Sequence, residues 1–246
     1  MYLTDERILV LTVYHVDRGI YCLLIVALLL DLLTPELVSG TAAFIASCQT
    51  YEGGFSSASR PHFSRGVLAA QRPSLGEAHG GYTFCALASW VLLQPYISAD
   101  EDAPRVDLRL LLRWLVYMQG LEIELGGLKG RTNKLVDGCY SWWVGGAFAL
   151  LEALGMSPSI PAPVSRQEDE KAGPSGNGWD DADGAPYTLV NVPFTCSWCS
   201  PDSFFNRQAL QKYILLAGQH PAGGLRDKPP KYVRLITNCT CIYVFM

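Results

Sequence analysis

The stretch GGLKGRTNKLVDGCYSWW, Gly126 to Trp143, packs the densest run of chemically useful side chains into an otherwise apolar chain. Arg131 and Lys134 lie three residues apart, and Asp137, Cys139, Tyr140 and Trp143 follow at once. If a helix starts near Gly138, the loop ahead of it leaves both cations close to a helix N-terminus, where free backbone N–H groups already favour an anion such as phosphate. A carboxylate and a thiol two residues apart can reach one divalent ion, and soft sulfur beside hard oxygen suits zinc better than magnesium or calcium. Tyr140 and Trp143, one helical turn apart, would line one wall and cover a hydrocarbon chain.

Each piece has a plainer reading alone: solvated loop charges, a chance Asp-x-Cys, core aromatics. Their coincidence within one turn and its leading loop argues for a site. Repeats around the stretch strengthen it. Arg18-Gly-Ile-Tyr21, His79-Gly-Gly-Tyr82 and Asp137-Gly-Cys-Tyr140 each open an apolar, helix-like run, with the tyrosines 61 and then 58 positions apart. Interleaved with them are glycine pairs at Gly53-Gly54, Gly126-Gly127 and Gly223-Gly224. Helix pairs of this kind bury their apolar faces against neighbouring pairs, so the spacing predicts an all-α helical repeat array. Thr34-Pro35-Glu36 reads as a helix start, followed by Leu37, Thr41, Phe44, Ile45 and Cys48 at helical spacing. Leu108 to Tyr117 reads as another helix, with Leu108, Leu111, Leu112 and Leu115 on one side and Arg109 and Arg113 on the other. Ser56 to Leu75 reads as a surface loop. Met156 to Pro186, rich in Pro, Gly, Ser and acidic residues, reads as a disordered insertion within one domain spanning 1–246.

With 246 residues, 49% hydrophobic and 17% charged, the chain can bury one large core. A net charge of −4 gives no general attraction to nucleic acid. Eight cysteines, several inside apolar runs, point to reduced thiols and a cytoplasmic protein. The apolar run Ile20 to Leu30 is too short for a transmembrane segment and reads as a buried helix; no secretory cleavage pattern follows it. Cys196-Ser-Trp-Cys199 has the spacing of a redox pair or a second metal site, but no partner pair accompanies it.

The stretch at 126–143, together with GEAHGGYTFCALASW at Gly76 to Trp90 and SCQTYEGGF at Ser47 to Phe55, resembles the β-subunit signature of the protein prenyltransferases, in particular its farnesyl-transferring fungal branch. The likeness runs from about residue 17 to residue 231. It implies an α/α toroid, incomplete here, whose inner helices open at the three polar-Gly-x-Tyr steps and gather Arg18, His79 and Asp137 at one end of an aromatic funnel. It implies transfer of a farnesyl group from farnesyl diphosphate to the cysteine thiol of a C-terminal CaaX motif, in a heterodimer with an α subunit. Asp137 and Cys139 correspond to two zinc ligands, with catalytic roles for both and for Lys134 and Tyr140. The diphosphate contacts implied are His79, Arg131, Lys134, Tyr140 and Lys231, with Gly80, Gly81, Thr132, Asn133 and Ser141 beside them. Arg18, Tyr21, Tyr82, Cys85, Trp142 and Trp143 would line the isoprenoid cavity. Asp227 corresponds to an aspartate linked to magnesium on the diphosphate, where the type I geranylgeranyl enzymes carry lysine.

The pattern departs from that family at both ends. Helices expected before Arg18 are absent, and the tail at 232–246 places Thr237 where a third zinc ligand, a histidine, is expected. Truncation at both ends, with retained introns as its origin, is the expectation that follows. Two alternatives stay open: a type I geranylgeranyltransferase β subunit, and an inactive fragment.

Overall fold

The computed structural model describes residues 16–59, 74–97, 103–158 and 203–232. In chain order these form α1 (Val16–Leu29), α2 (Pro35–Val38), α3 (Thr41–Ser47), a two-residue antiparallel ladder of β1 (Ala58–Ser59) and β2 (Ser74–Leu75), α4 (Gly80–Leu93), α5 (Leu108–Tyr117), α6 (Tyr140–Ala153) and α7 (Arg207–Tyr213), which runs on as a π-helical turn at Ile214–Gly218. The expectation of an all-α array is met. The short ladder only ties together the two ends of the expected 56–75 loop. Met1 to His15, most of the 156–186 insertion, the Cys196/Cys199 pair and Thr237 lie outside the described residues.

The three helices that follow the polar-Gly-x-Tyr steps, α1, α4 and α6, are each 14 residues long. Helix α4 is the middle one and packs against both others. Apolar residues occur all round it, as a helix enclosed on both sides requires. From Thr83 to Trp90 every one of its residues is buried. Its start is capped by His79, whose side chain accepts the Gly81 N–H.

Helix α1 departs from the buried helix that its composition predicts. Leu24 and Ala27 are buried, whereas Leu23, Val26, Leu28 and Leu29 are exposed, Leu29 to 78%. The run is apolar on every side, but the described residues bury only the stripe that holds Leu24 and Ala27. The 34–48 segment also differs from a single helix. Thr34 caps its start, accepting from the Leu37 N–H at 3.3 Å, with Pro35 at the first turn as expected. The helix then breaks at Ser39-Gly40, where Gly40 takes a left-handed φ of 77°, and restarts at Thr41. Helix α5 follows the sequence closely: Leu111, Trp114 and Leu115 are buried, and Arg109 and Arg113 face solvent.

Each glycine pair closes a turn stapled by one antiparallel bridge: Gln49 with Phe55, Gln119 with Leu128 and Gln219 with Leu225. The first two glutamines also join consecutive repeats. Gln49 Nε2 donates to Gly53 O (3.0 Å) within its own turn and to Asp107 O (2.9 Å), while its Oε1 accepts from the Asp107 N–H (2.9 Å). Gln119 does the same with Gly126 O (3.1 Å), Asn206 O (2.9 Å) and the Asn206 N–H (2.9 Å). Asp107 and Asn206 are the N-cap residues of α5 and α7, so each clamp holds the start of the next repeat's helix.

Gln119→Ala should therefore cost about 1–3 kcal/mol, because it leaves part-buried backbone groups of Gly126 and Asn206 without partners. The readout is the urea midpoint of the whole chain, with the exposed Gln208→Ala as a change expected to leave it in place. Equal midpoints for the two variants would show that the clamp contributes nothing.

Candidate functional site

Helix α6 starts at Tyr140 with Cys139 as its N-cap, two residues after Gly138, near which the sequence places the start. The Asp137 side chain accepts the Cys139 N–H (3.3 Å), so the carboxylate that could hold a cation also satisfies a free donor of the helix start. Asp227 arrives from the third glycine turn. Its carbonyl accepts from the Gly138 N–H (2.6 Å) and from the buried Tyr213 hydroxyl (3.0 Å). These two bonds seat the residue beside the helix start. The ligand atoms of Asp137, Cys139 and Asp227 then all lie within 4.8 Å of one another.

One thiol and two carboxylates at that separation fit a divalent metal, since a tetrahedral ion holds its ligand atoms about 3.5 Å apart, a small side-chain rotation away. Cations already stand at the carboxylates. Lys228 Nζ lies 3.3 Å from Asp137 Oδ2, and Lys231 Nζ lies 4.0 Å from Asp137 Oδ2 and 3.8 Å from Asp227 Oδ2. Burial, and then the Asp137 carboxylate, push the Cys139 thiol well above its ordinary range, so without a cation it keeps its proton. Asp227 thus joins the Asp137/Cys139 pair, whereas the resemblance sets it on a separate magnesium.

The loop Gly130 to Leu135 is closed at its base by an antiparallel bridge between Lys129 and Val136 and tightened by the Lys134 N–H donating to Arg131 O (3.2 Å). Arg131 forms an ion pair with Glu77, just ahead of α4. The hydrogen bond from Arg131 holds the Glu77 carboxyl below its usual range. Thr132, Asn133 and Lys134 are exposed at the tip, with the Thr132 hydroxyl 3.3 Å from Glu52. Lys231 reaches the carboxylate cluster from the other side.

Between cation and anion halves stands Tyr140. Its hydroxyl lies 3.1 Å from His79 Nε2, and burial pushes its pKa up to about 12. Burial, then Arg131 and Arg18, push the His79 pKa below its ordinary 6.5. Gly80 and Gly81 supply the first turn of α4; the Gly80 N–H donates to Gly130 O (2.8 Å). A Cβ on Gly130 would fall inside the Tyr140 ring. Ser141 is buried behind the helix start.

The apolar wall is a second, smaller cluster of Phe84, Cys85 and Ala88, with Tyr21, Trp142 and Trp143 packed against it. Phe84 lies 5.6 Å from Trp143 and 5.7 Å from Trp142, ring centre to ring centre, and Tyr21 meets its edge at 6.0 Å. The Arg18 guanidinium sits over Trp143 at 5.8 Å, and Tyr82 leans on His79 at 4.8 Å. Arg18, Tyr21, His79, Tyr82, Cys85, Tyr140, Trp142 and Trp143 thus lie together at the starts of α1, α4 and α6 and on the wall running from them, whereas Thr132, Asn133 and Lys134 stand exposed at the tip of their loop. Sequence reasoning missed Phe84 as the hub of that wall, although it stands two positions after Tyr82. It also missed Lys228, Glu77 and Glu52 as the charged partners.

Helices α1, α4 and α6, the last two each preceded by a glycine turn, define a helical-repeat array with a polar end and an aromatic wall. The family described as "Prenyltransferase alpha-alpha toroid domain" matches residues 14–245, and the chain belongs to that family. It is similar to the protein farnesyltransferase subunit beta of Pisum sativum, 38% identical over 243 residues that cover 92% of this chain and 52% of that protein. It is also similar to the subunit of the same name from Schizosaccharomyces pombe, 34% identical over 226 residues, covering 92% and 43%. A solved structure, Candida albicans protein geranylgeranyltransferase-I complexed with GGPP, shares the fold at a TM-score of 0.54 and 21% identity, over 93% of this chain and 48% of that one. The chain therefore spans about half the length of the curated relatives it matches.

The depressed His79 pKa carries a pH signature. The unfolded histidine takes up its proton at about 6.5, while the folded one resists it to lower pH. Its contribution is thus fully favourable above about 6.5 and is lost as pH falls from there through the folded value. His79→Asn should remove up to about 1.4 kcal/mol per pH unit of that acid sensitivity, measured as the urea midpoint of variant and wild type on descending pH. Parallel curves would contradict the assignment of a buried neutral imidazole.

Proposed function

We propose that this chain carries the catalytic β-subunit site of a protein prenyltransferase of the farnesyl type, acting with an α subunit in the cytoplasm on proteins ending in a CaaX motif. The observation that carries the reading is the convergence at one rim of a metal-fitting cluster, a cationic loop and an aromatic wall. Each answers one need of the reaction. The incoming thiol must lose its proton, the departing diphosphate must be stabilised, and the isoprenoid must be kept from water.

Asp137 and Cys139, with Asp227 beside them, would hold zinc, which when bound supplies a thiolate form of the substrate cysteine near neutral pH. The protein's own groups do the rest. Phe84, Trp142, Trp143 and Tyr21 present aromatic surface to the isoprenoid. Arg131 and Lys134 from the 130–135 loop, and Lys231 from the third turn, bear on the diphosphate. As the substrate sulfur forms its bond to the isoprenoid C1, the C1–O bond breaks and the diphosphate leaves with the electron pair. Cations placed in advance favour that charge development without reorganising at the moment of reaction. Asp227, where the resemblance implies lysine in the geranylgeranyl enzymes, favours farnesyl diphosphate as the partner lipid. No helix among the described residues is long and apolar enough to cross a membrane.

Co-expression of residues 1–246 with an α subunit, followed by thioether formation from farnesyl and geranylgeranyl diphosphates, tests the proposal. Transfer with a preference for farnesyl supports it, a geranylgeranyl preference selects the other enzyme class, and lipid binding without transfer selects the inactive fragment. Cys139→Ala should abolish transfer and zinc uptake while leaving farnesyl diphosphate binding intact; lost lipid binding with retained zinc would sink the metal assignment.

Lys134→Ala should weaken farnesyl diphosphate by about 1.5–3 kcal/mol, the range of one hydrogen bond to a charged group. Farnesol, which has no phosphate, should bind wild type and variant alike. Equal losses for both ligands, read by calorimetry, would point to a folding defect and not to an anion contact.

A further inference from the structure

Among the described residues the chain holds three glycine turns and three helix starts of the kind those turns receive, and two of each are matched. Thr34, Asp107 and Asn206 each begin the second helix of a repeat. Each side chain accepts the N–H three positions on: Leu37 (3.3 Å), Leu110 (2.8 Å) and Ala209 (2.9 Å). In the matched pairs, turn and helix start meet in two ways. The glutamine grips the backbone of the capping residue, Asp107 or Asn206. The first glycine of the turn then faces the residue three positions further on: a Cβ on Gly53 would strike Leu110, and one on Gly126 would strike Ala209.

The third turn is built alike. Gln219 bridges Leu225 as Gln49 bridges Phe55 and Gln119 bridges Leu128. The His220 N–H donates to Gly224 O (2.9 Å), as Thr50 does to Gly54 (2.8 Å) and Gly120 to Gly127 (2.7 Å). Gly223 takes a φ of 96°, between the 110° of Gly53 and the 68° of Gly126. Yet nothing stands within 4 Å of where its Cβ would be. Gln219 is exposed, and among the described residues its amide holds no helix start. The unmatched start is equally bare, with Thr34 exposed and Leu37 exposed to 43%. Apolar side chains flank both places: Leu32 lies two positions before Thr34, and Leu215 and Leu216 precede Gln219, all exposed. A formed socket and a formed start that do not meet within one chain are free to meet between two.

We infer that the third glycine turn is a docking site for a second copy of this chain, with Gln219 and Gly223 receiving the Thr34–Leu37 helix start of that copy head to tail. The amide of Gln219 pairs with the N–H and C=O of Thr34, and Leu37 seats against Gly223. The contact is heterologous, and it closes into a two-fold pair when it forms in both directions. It is independent of the function proposed above.

Sedimentation velocity of the full 246-residue chain over a range of concentrations reads the association, which should run from monomer to pair as concentration rises. Gln219→Glu removes the amide donor and sets a carboxylate against the Thr34 carbonyl. Leu37→Glu brings a charge to the Gly223 socket while supplying the residue that completes a capping box with Thr34, so its own helix is kept. Each variant should dissociate at least about tenfold more readily, with the urea midpoint of the dilute monomer unchanged. Mixed one to one they should pair again, because the first keeps its helix start and the second its socket. A mixture that stays monomeric, folded variants that associate like the wild type, or a wild-type chain that is monomeric at every concentration would each overturn the inference. Amide exchange on the wild type needs no substitution. Protection at 34–37 and at 219–225 should rise together with concentration, and full protection of 219–225 in the dilute monomer would show that the chain fills its own socket, which overturns the inference as well.

Discussion

A glutamine amide is a peptide group on a stalk, and at two of the three glycine turns it is used as one. Gln49 and Gln119 each pair with both the N–H and the C=O of the residue that begins the next repeat's helix, Asp107 and Asn206. A third bond from the same amide reaches a carbonyl of its own turn. Apolar packing between the turn and the following helix fixes separation but leaves sliding and rotation soft. With the glutamine contact, register passes from one repeat to the next along a chain of hydrogen bonds. In an array whose stability and shape are built from neighbour-to-neighbour terms, such a bond sets geometry well beyond its own energy.

Position at the rim follows from that register. Helices α4 and α6 approach closely because glycine stands where their surfaces meet: Gly146 lies against Phe84, and Gly80 against Val144 and Tyr140. Side chains there would push the two helix starts apart and break the 3.1 Å contact between His79 and Tyr140. Gly126 makes the matching allowance at the second turn, with a left-handed φ of 68° and Ala209 of α7 packed against it. The residues with no side chain thus bring the chemically active side chains together, which is why glycine pairs mark the repeat so plainly.

Periodicity and punctuation made much of this legible in the sequence. The inner helix Gly80–Leu93, the amphipathic Leu108 to Tyr117 and the cap at Thr34 were readable because propensity, capping and burial agree there. Gly40 was readable as a residue but not as a break, since a single glycine inside a helical pattern is usually tolerated. The exposed face of α1 was not readable at all, because an apolar run says what can be buried and not what is present to bury it. At the site, Asp137, Cys139, Arg131 and Tyr140 stood out through their density in sequence. Asp227, Lys228 and Glu77 become partners only through contacts between turns far apart in the chain. The glutamine clamps had a signal, a Gln four or seven positions ahead of each glycine pair, but a polar residue at a turn ordinarily reads as solvated.

The charges at the rim are balanced before any ligand arrives. Asp137 and Asp227 are buried, and a buried carboxylate without a partner costs several kcal/mol, so Lys228 and Lys231 are needed where they stand. Arg131 is likewise matched by Glu77. A divalent ion taken up by the cluster thus exchanges with ammonium groups, and an anion taken up by the loop exchanges with a carboxylate. Affinity in either half is a difference between two ion pairs and not the full strength of one. Lys231, at 49% exposure and within 4.0 Å of both carboxylates, is the cation with most freedom to leave. Its ammonium bridges the two carboxylates from a half-exposed position, so it is the partner that a divalent ion entering the cluster would displace first.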